Sequence, residues 1–408
     1  MDTKVVVTGM GVVSPVGNDL PTFWNALCEG RSGIRAVDFD TEKIPSKIAG
    51  IAPDVVPQGM GPKDIRRQSR FILFAVEVAD QAVRQAGLDV DQEDPYRCGV
   101  SVGSGIGGIG DINENSVAMH ERGPRRISPL FLPRGLANMA AGQVAIRHGF
   151  MGPNRSLVTA CATGTQSIGD AADLIRLGKA DLMLAGGTES TVIPFGLAGF
   201  CAMKALSTRN EEPKRASRPF DADRDGFVMS EGAAILVLES ERHARARGAD
   251  ILAELAGSGE SCDAYHVVAP REDGSGPAAG MQAALLEARI NPAQVDYYNA
   301  HGTSTQLNDP AETQALKAVF GPDMPPVSST KSMIGHPLGA AGAIEAVACV
   351  QTIRNGIIHP NINYETPDPA CDVNIVANEA READVAIVLS NSLGFGGHNA
   401  AIIFKRYE

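Results

Sequence analysis

The chain is poor in aromatic residues, which make up 5% of its 408 residues and include a single Trp. Its core must therefore come from aliphatic side chains and from backbone brought close at some of its 44 Gly. It lacks any unbroken apolar run near the roughly 18–20 residues that a membrane span needs. It lacks a basic excess: the net charge is −12, which argues against a broad nucleic-acid-binding face. The opening stretch Met1-Asp2-Thr3-Lys4-Val5-Val6-Val7 lacks the basic region and long apolar segment of a signal peptide, so none is expected. Its seven Cys are odd in number and widely spaced, which gives neither a disulfide framework nor a zinc pattern. A reducing, cytoplasmic setting is the expectation.

What is present points to an α/β protein. Residues 5–8 read as a short buried strand. Residues 23–28 and 71–83 carry apolar positions at helical spacing, the second run ending at Gly87. Residues 98–102 and 182–184 read as strands. Residues 40–63 read as loop, and 107–135 as an insertion punctuated by Gly and Pro. The two parts of the chain echo each other. Gly226-Phe227 precedes the apolar run 233–238, and Gly394-Phe395 precedes 400–404. The strand–turn–helix around Cys161 has a counterpart in residues 326–331, a glycine-rich turn and a helix over 340–353. Two similar α/β units, 1–250 and 251–408, are expected in one compact body.

Cys161 is the most informative residue. It lies in Ser156-Leu157-Val158-Thr159-Ala160-Cys161-Ala162-Thr163-Gly164-Thr165. The pattern predicts a strand that stops at the thiol, then a helix over 168–177. Free N–H groups and the positive dipole end of a helix favour thiolate. Two histidine motifs follow. Asn299-Ala300-His301-Gly302-Thr303-Ser304-Thr305 closes an apolar run, and Lys331-Ser332-Met333-Ile334-Gly335-His336 does the same further on. Neither has a close-spaced ligand pair, so no metal is expected. Gly103-Ser104-Gly105-Ile106-Gly107-Gly108 satisfies G-x-G-x-x-G, yet no second strand with an acidic end follows at the required spacing, so close backbone packing is the better reading. Asp221-Ala222-Asp223-Arg224-Asp225-Gly226 imitates a calcium loop, but Gly232 stands where a bidentate Glu is required.

Taken in order, Ala160-Cys161-Ala162-Thr163-Gly164, the His301–Thr305 run, Lys331-Ser332 through Gly335-His336, and Asn391-Ser392-Leu393-Gly394-Phe395-Gly396-Gly397 resemble the β-ketoacyl-[acyl carrier protein] synthases, most closely the type II elongating form. The resemblance spans Val5 to Phe404. It implies a thiolase-like fold, two similar βαβαβαββ halves in a five-layer α-β-α-β-α arrangement, and a homodimer. It implies an acyltransferase of fatty acid biosynthesis. Cys161 would carry the acyl chain, and the N–H groups of Cys161 and Phe395 would form the oxyanion hole. His301 and His336 would donate to the malonyl thioester oxygen. Lys331 would pair with Asp309, Glu312 and Glu345. Thr303 and Thr305 would bind pantetheine amides. Phe395, between Gly394 and Gly396, would be the gate. Ile106 and Phe131, the latter from the partner subunit, would line the acyl pocket. Lys63, Arg66, Arg67, Arg125, Arg126 and Lys204 would dock the acidic acyl carrier protein. No cofactor is implied beyond the phosphopantetheine on that carrier.

Three positions depart from the family pattern: Leu393 and His398 stand in place of Phe and Thr, and Gln166 in place of His. They bear on chain length and leave open a ketosynthase of a polyketide or specialised pathway. A degradative thiolase would need a cysteine in the Gly394–Gly397 loop, and the last one is Cys371. The type III initiating form would carry Asn where His336 stands. A scaffold that holds a carrier protein without chemistry is the non-enzymatic alternative, separated by whether Cys161 takes an acyl group.

Overall fold

The computed structural model describes residues 3–408. Met1 and Asp2, at the head of the stretch read for a targeting signal, lie outside the described residues. Among the described residues no helix is long and apolar enough to cross a membrane.

Ten strands form the main sheet. The first half supplies β1 (Val5–Val13), β2 (Cys98–Gly103), β3 (Asn154–Arg155), β4 (Leu182–Glu189) and β5 (Gly232–Ser240). The second supplies β6 (Ala253–Cys262), β7 (Tyr297–Asn299), β8 (Val327–Ser328), β9 (Ile387–Gly394) and β10 (His398–Lys405). From its outer edge inward, the first half runs β3-β2-β4-β5-β1 and the second β8-β7-β9-β10-β6. Both orders are third, second, fourth, fifth, first. In both halves the second strand pairs parallel with the third and fourth, and the fifth pairs antiparallel with the fourth and first. The weak sequence echo is thus a true structural repeat. A short antiparallel contact, Val5–Val7 against Ala253–Leu255, joins the halves.

Seven helices position the rest: α1 (Arg70–Gln85), α2 (Ile109–Arg122), α3 (Met139–His148), α4 (Thr163–Arg176), α5 (Ser275–Ala288), α6 (Asn308–Phe320) and α7 (Ala341–Asn355). Leaving aside α2 and the helices of nine residues or fewer, each half reads βαβαβαββ. In α1, Phe71, Phe74, Ala75, Val78, Ala79 and Ala82 recur at helical spacing and make one apolar face. That face and α3 cover Val100, Leu184 and Ile235 of the first half. Helices α5 and α6 cover Tyr298, Leu389 and Ile403 of the second. Between the halves lie α4 and α7, whose Ile168, Leu174, Ile344 and Val347 pack with Met183 and Leu236 on one side and Val388 and Ile402 on the other. Adjacent strand residues such as Ile235 and Leu236 serve opposite faces, as the pleat demands. The result is a five-layer α-β-α-β-α body. Every residue of α7 from Ala341 to Ile353 is buried, so this helix is enclosed on all sides.

Three sequence readings need correction. Residues 40–63 are not all loop: Ile48–Gly50 pairs antiparallel with Ile34–Ala36. The 107–135 insertion contains α2 and the short helix Phe131–Gly135, because residues 111–122 hold neither Gly nor Pro and are free to coil. No strand leads into Cys161. The ladder there is only Asn154–Arg155, and residues 156–159 belong to no strand.

Ile344→Ala tests the shared middle layer. Truncating a fully buried Ile there costs about 2–5 kcal/mol of unfolding free energy, from lost transfer and a cavity that rigid neighbours fill poorly. Urea unfolding should give a lower midpoint and one transition, since both halves lean on α7. Two separated transitions would mean that the halves unfold independently.

Candidate active site

Cys161 sits on a single 3-10 turn, Ala160–Ala162, at the head of α4. Ala160 is held in the left-handed region (φ 50°), an uncommon state for a residue with a Cβ. The Thr163 hydroxyl fastens this turn, donating to the Ala160 carbonyl at 2.7 Å and accepting from the Thr159 N–H at 2.9 Å. Cys161 Sγ lies 3.0 Å from His336 Nε2. The Phe395 N–H points at the same sulfur. Burial pushes the Cys161 thiol up to about 12, while the Lys331 charge and the Phe395 N–H pull it down. This corrects the sequence expectation of a resting thiolate. The helix end is present, but the sulfur is buried, and desolvating the anion outweighs it.

His301 follows β7, and His336 follows the short helix Lys331–Ile334 beyond β8. Their rings meet edge to face with centroids 5.3 Å apart. Burial, then the Lys331 charge, drives both imidazoles well below their ordinary range, so both are neutral near pH 7. Lys331 Nζ lies 3.4 Å from His301 Nδ1 and is ion-paired with Glu345 of α7. An ammonium can only donate, so Nδ1 accepts and His301 carries its proton on Nε2. His336 Nδ1 is buried without a partner. An orphaned buried N–H is rarer than an orphaned acceptor, so His336 also carries its proton on Nε2, facing sulfur. The two histidines thus present two N–H donors.

The expected carboxylate partners of Lys331 divide. Glu345 is one. Glu312 is not: its carboxylate accepts from the His301 and Gly302 N–H groups, both at 2.8 Å, and from the Tyr298 hydroxyl at 2.7 Å. It clamps the turn that carries His301. Asp309 is not either: it accepts from the Phe220 N–H at 2.8 Å and faces Arg224 at 3.8 Å. It secures the 221–226 loop, which internal bonds hold in place of calcium: Asp221 accepts from the Glu365 and Thr366 N–H groups and Arg224 pairs with Asp368. Both acids of α6 are thus engaged elsewhere, and Lys331 pairs with Glu345 of α7.

A cavity of about 250 Å³ opens on these groups. Cys161, His301, His336, Thr303, Thr305, Gly394, Phe395 and Lys204 line it. The Thr303 and Thr305 hydroxyls lie 3.0 Å apart. Phe227 packs edge-on against His336 at 5.2 Å, and Phe395 lies 6.5 Å from Phe200. The two Gly-Phe pairs of the repeat, Gly226-Phe227 and Gly394-Phe395, therefore end in one cavity, a role that the sequence echo did not disclose. Gly396, expected among the lining residues, is turned away: its N–H donates to the Val267 carbonyl at 2.9 Å. Ile106 packs in the apolar cluster around Cys161 but does not line the cavity. Phe131 does not line it either, since it lies on the separate helix Phe131–Gly135. Lys63, Arg66, Arg67, Arg125, Arg126 and Lys204 are exposed. Of the departures, Leu393 lines the cavity, and Gln166 is buried beside Glu260. His398 pairs with Gly394 across the β9–β10 hairpin.

Sequence reasoning missed Glu189. It ends β4, is fully buried, and accepts from the Ser104 hydroxyl at 2.9 Å, the Gly105 and Ile106 N–H groups at 2.8 and 3.3 Å, and the Gly339 N–H at 3.0 Å. The G-x-G-x-x-G loop does open into a helix, α2, but its amides already hold this carboxylate, so no phosphate is accommodated. The signal was an acid closing a wholly buried strand, which demands donors.

Gly394→Ala tests the sulfur environment. A Cβ there would sit 2.5 Å from the Thr159 carbonyl and 3.3 Å from the Cys161 N. The end of β9 must shift and draw the Phe395 N–H off sulfur. Iodoacetamide labelling of Cys161 should slow by roughly tenfold, the worth of about one pKa unit in thiolate population. An unchanged rate would detach Phe395 from the nucleophile.

Comparisons with known proteins agree with this geometry. Residues 2–244 match the model of the β-ketoacyl synthase N-terminal domain, and residues 252–365 that of its C-terminal domain. The 3-oxoacyl-[acyl-carrier-protein] synthase 2 of Vibrio harveyi is 47% identical over 408 residues, covering 99% of this chain and 98% of the relative. The solved β-ketoacyl synthase of Burkholderia phymatum is 37% identical with a TM-score of 0.94, covering 100% of both chains. A type II polyketide ketosynthase, solved in complex with its acyl-carrier protein, is 35% identical with a TM-score of 0.93, again over 100% of both. Shared fold, shared length and a thiol facing two neutral imidazoles lead to one conclusion: this chain belongs to the β-ketoacyl synthase family.

Proposed function

We propose that the protein is an acyltransferase that elongates fatty acyl chains by decarboxylative condensation with malonyl-[acyl carrier protein]. The observation that carries this reading is Cys161 Sγ at 3.0 Å from His336 Nε2, with His301 in the same cavity. Cys161 attacks the thioester of an acyl carrier. The thiol proton goes to the departing pantetheine sulfur, so one thiol replaces another and no net proton is released. The tetrahedral oxyanion forms beside the N–H groups of Cys161 and Phe395. Malonyl carrier then enters past Thr303 and Thr305 and loses CO2. The resulting enolate oxygen accepts from the Nε2–H groups of His301 and His336. Its carbon attacks the acyl carbonyl, and the Cys161 sulfur leaves and takes up a proton. The product is a 3-oxoacyl carrier two carbons longer. Burial strengthens each of these contacts, because little water competes for the developing charge. The chemistry calls for no cofactor beyond the phosphopantetheine of the carrier.

The finer assignments belong to the same reading. Phe395 is the gate, and its flanking glycines permit the swing. The repeats 1–250 and 251–408 divide the labour, the first bringing the nucleophile and the second the histidines. Exposed Lys63, Arg66, Arg67, Arg125 and Arg126, with Lys204 at the cavity mouth, attract an acidic carrier protein. A homodimer buries the exposed Leu132, Leu136, Ile146 and Met151 beside the unpaired edge of β3 and carries Phe131 to the partner's acyl pocket. Seven free cysteines fit a reducing cytoplasm. A second reading, a ketosynthase of a polyketide or specialised acyl pathway, draws on Leu393 in the cavity wall.

Intact-protein mass after mixing with acyl carriers of several lengths, followed by a malonyl-carrier chase, tests the function. An adduct that maps to Cys161 and clears as a 3-oxoacyl product appears is the expected result. No adduct with any carrier overturns it. Preference for oxo-substituted acyl chains selects the second reading. Cys161→Ser should remain folded and lose condensation. His301→Ala should slow malonyl decarboxylation by about 10²–10³-fold, the worth of one oxyanion donor, and slow acylation far less. Arg66→Glu with Arg67→Glu should weaken carrier binding and flatten its salt dependence; an affinity unchanged from that of the unaltered protein at every ionic strength would move the docking face elsewhere.

A further inference from the structure

The carboxylate of Glu189 lies where three segments meet: the end of β4, the loop after β2, and the turn after His336. Each oxygen takes two bonds. Oε1 accepts from the Ser104 hydroxyl and the Ile106 N–H, and Oε2 from the Gly105 and Gly339 N–H groups. Ser104 is itself fastened, accepting from the Gly107 N–H at 2.9 Å. Gly339 belongs to the second half of the molecule, three residues past His336. Leu338, between them, is held at φ 45° and packs in the same apolar cluster as Cys161. Such a left-handed residue persists only where its neighbours over-determine it. The Glu189–Gly339 bond is the anchor that the geometry provides.

We propose that Glu189 is a positioning residue, which ties the His336–Gly339 turn of one half to the Gly105–Ile106 loop of the other and so fixes His336 against Cys161. The loop that looks like a dinucleotide fingerprint is the seat of this internal anion. Glu189 does not touch the reacting atoms; it acts through the Gly339 and Gly105 backbone. Its charge also reaches the sulfur. The charged groups acting on Cys161 are Lys331, which favours thiolate, and Glu189 and Glu345, which oppose it. Burial pushes the Glu189 carboxyl up to about 7, while the Ser104 hydroxyl and the Gly339, Gly105 and Ile106 N–H groups pull it back, so it is charged at pH 8.

Two substitutions separate anchor from charge. In Glu189→Gln the amide oxygen can keep the Gly105 and Gly339 bonds, while the amide nitrogen donates to the Ser104 oxygen. Glu189→Ala loses all of them. The readout is the pH profile of Cys161 labelling by iodoacetamide, which needs no carrier protein. It therefore stands or falls apart from the condensing reading, on which only the carrier-protein readouts rest. For Glu189→Gln, loss of the opposing charge should move the labelling profile to lower pH, with Cys161 labelled about three- to tenfold faster at pH 8. Acylation by an acyl carrier should stay within a few-fold of the unaltered protein. Glu189→Ala should lower kcat for malonyl-carrier decarboxylation by at least about tenfold at unchanged KM, because His336 is no longer held in place. If Glu189→Ala does not fold, the Glu189→Gln labelling profile carries the test. A Glu189→Gln labelling profile that coincides with that of the unaltered protein overturns the proposal. So does a Glu189→Ala protein with unaltered kcat.

Discussion

The close approach of α4 and α7 is the constraint on which the site depends. Gly164 and Gly342 make it possible. A Cβ on Gly342 would lie 1.9 Å from the Thr165 hydroxyl oxygen, and one on Gly164 would lie 2.7 Å from the Ala343 N. Real Cβ atoms do not come that near, so any side chain at either position would pry the helices apart. Helix α4 begins just after Cys161, and α7 carries Glu345 and begins just after the His336–Gly339 turn. The distance between nucleophile and imidazole is thus set by helix packing in the middle layer, far from any surface. Close-packed interiors transmit strain rather than absorb it, which makes this a stiff way to fix a reactive geometry.

Duplication explains why the site lies where it does. Each half ends its third crossover by feeding a helix into the middle layer. The helix of the first half brings a thiol to its head, and that of the second brings a carboxylate and the turn with His336. Neither half can assemble the constellation alone. The two Gly-Phe pairs follow the same logic. They occupy equivalent places before the last strand of each repeat, and the pseudo-symmetric packing aims both phenyl rings into one cavity. One lies against His336 and the other lies beside Phe200. Equivalent sequence positions have come to serve inequivalent roles, imidazole packing and cavity wall.

Much of this was legible in the sequence, for particular reasons. Helix α1 announced itself through the spacing of Phe71, Phe74 and Val78. The repeat showed through two glycine loops feeding two apolar strands. Cys161, His301 and His336 stood out because each falls where an apolar run ends among small residues. Other features were hidden. Helix α2 is polar on most of its surface, so its periodicity is faint beside the glycines that precede it. Strands β3, β7 and β8 have two or three residues, too few for any alternation to register. The partners of Lys331 depend on which carboxylates the folded backbone already occupies, and spacing along the chain carries no such information. The protonation of Cys161 depends on burial, which opposes the helix end and is visible only once the layers are assembled.

The electrostatics of the cavity follow from a single buried cation. Lys331 is almost wholly enclosed, and an unpaired ammonium there would be prohibitively costly, so Glu345 neutralises it. Glu345 keeps one oxygen without a partner, so the pair is no maximally satisfied salt bridge. What the lysine gains from its position is the second contact, with His301 Nδ1. That contact settles the tautomer, and burial, reinforced by the positive charge behind it, keeps both imidazoles from taking up a second proton. A protonated pair would repel itself and could not remain so deeply buried. Two neutral rings avoid that cost, yet each still turns an N–H toward the cavity. Donors that are already oriented, uncharged and shielded from water need no rearrangement when negative charge develops beside them. The ion pair therefore acts on the site through proton placement, and the energy spent in burying it is returned as two fixed donors beside the nucleophile.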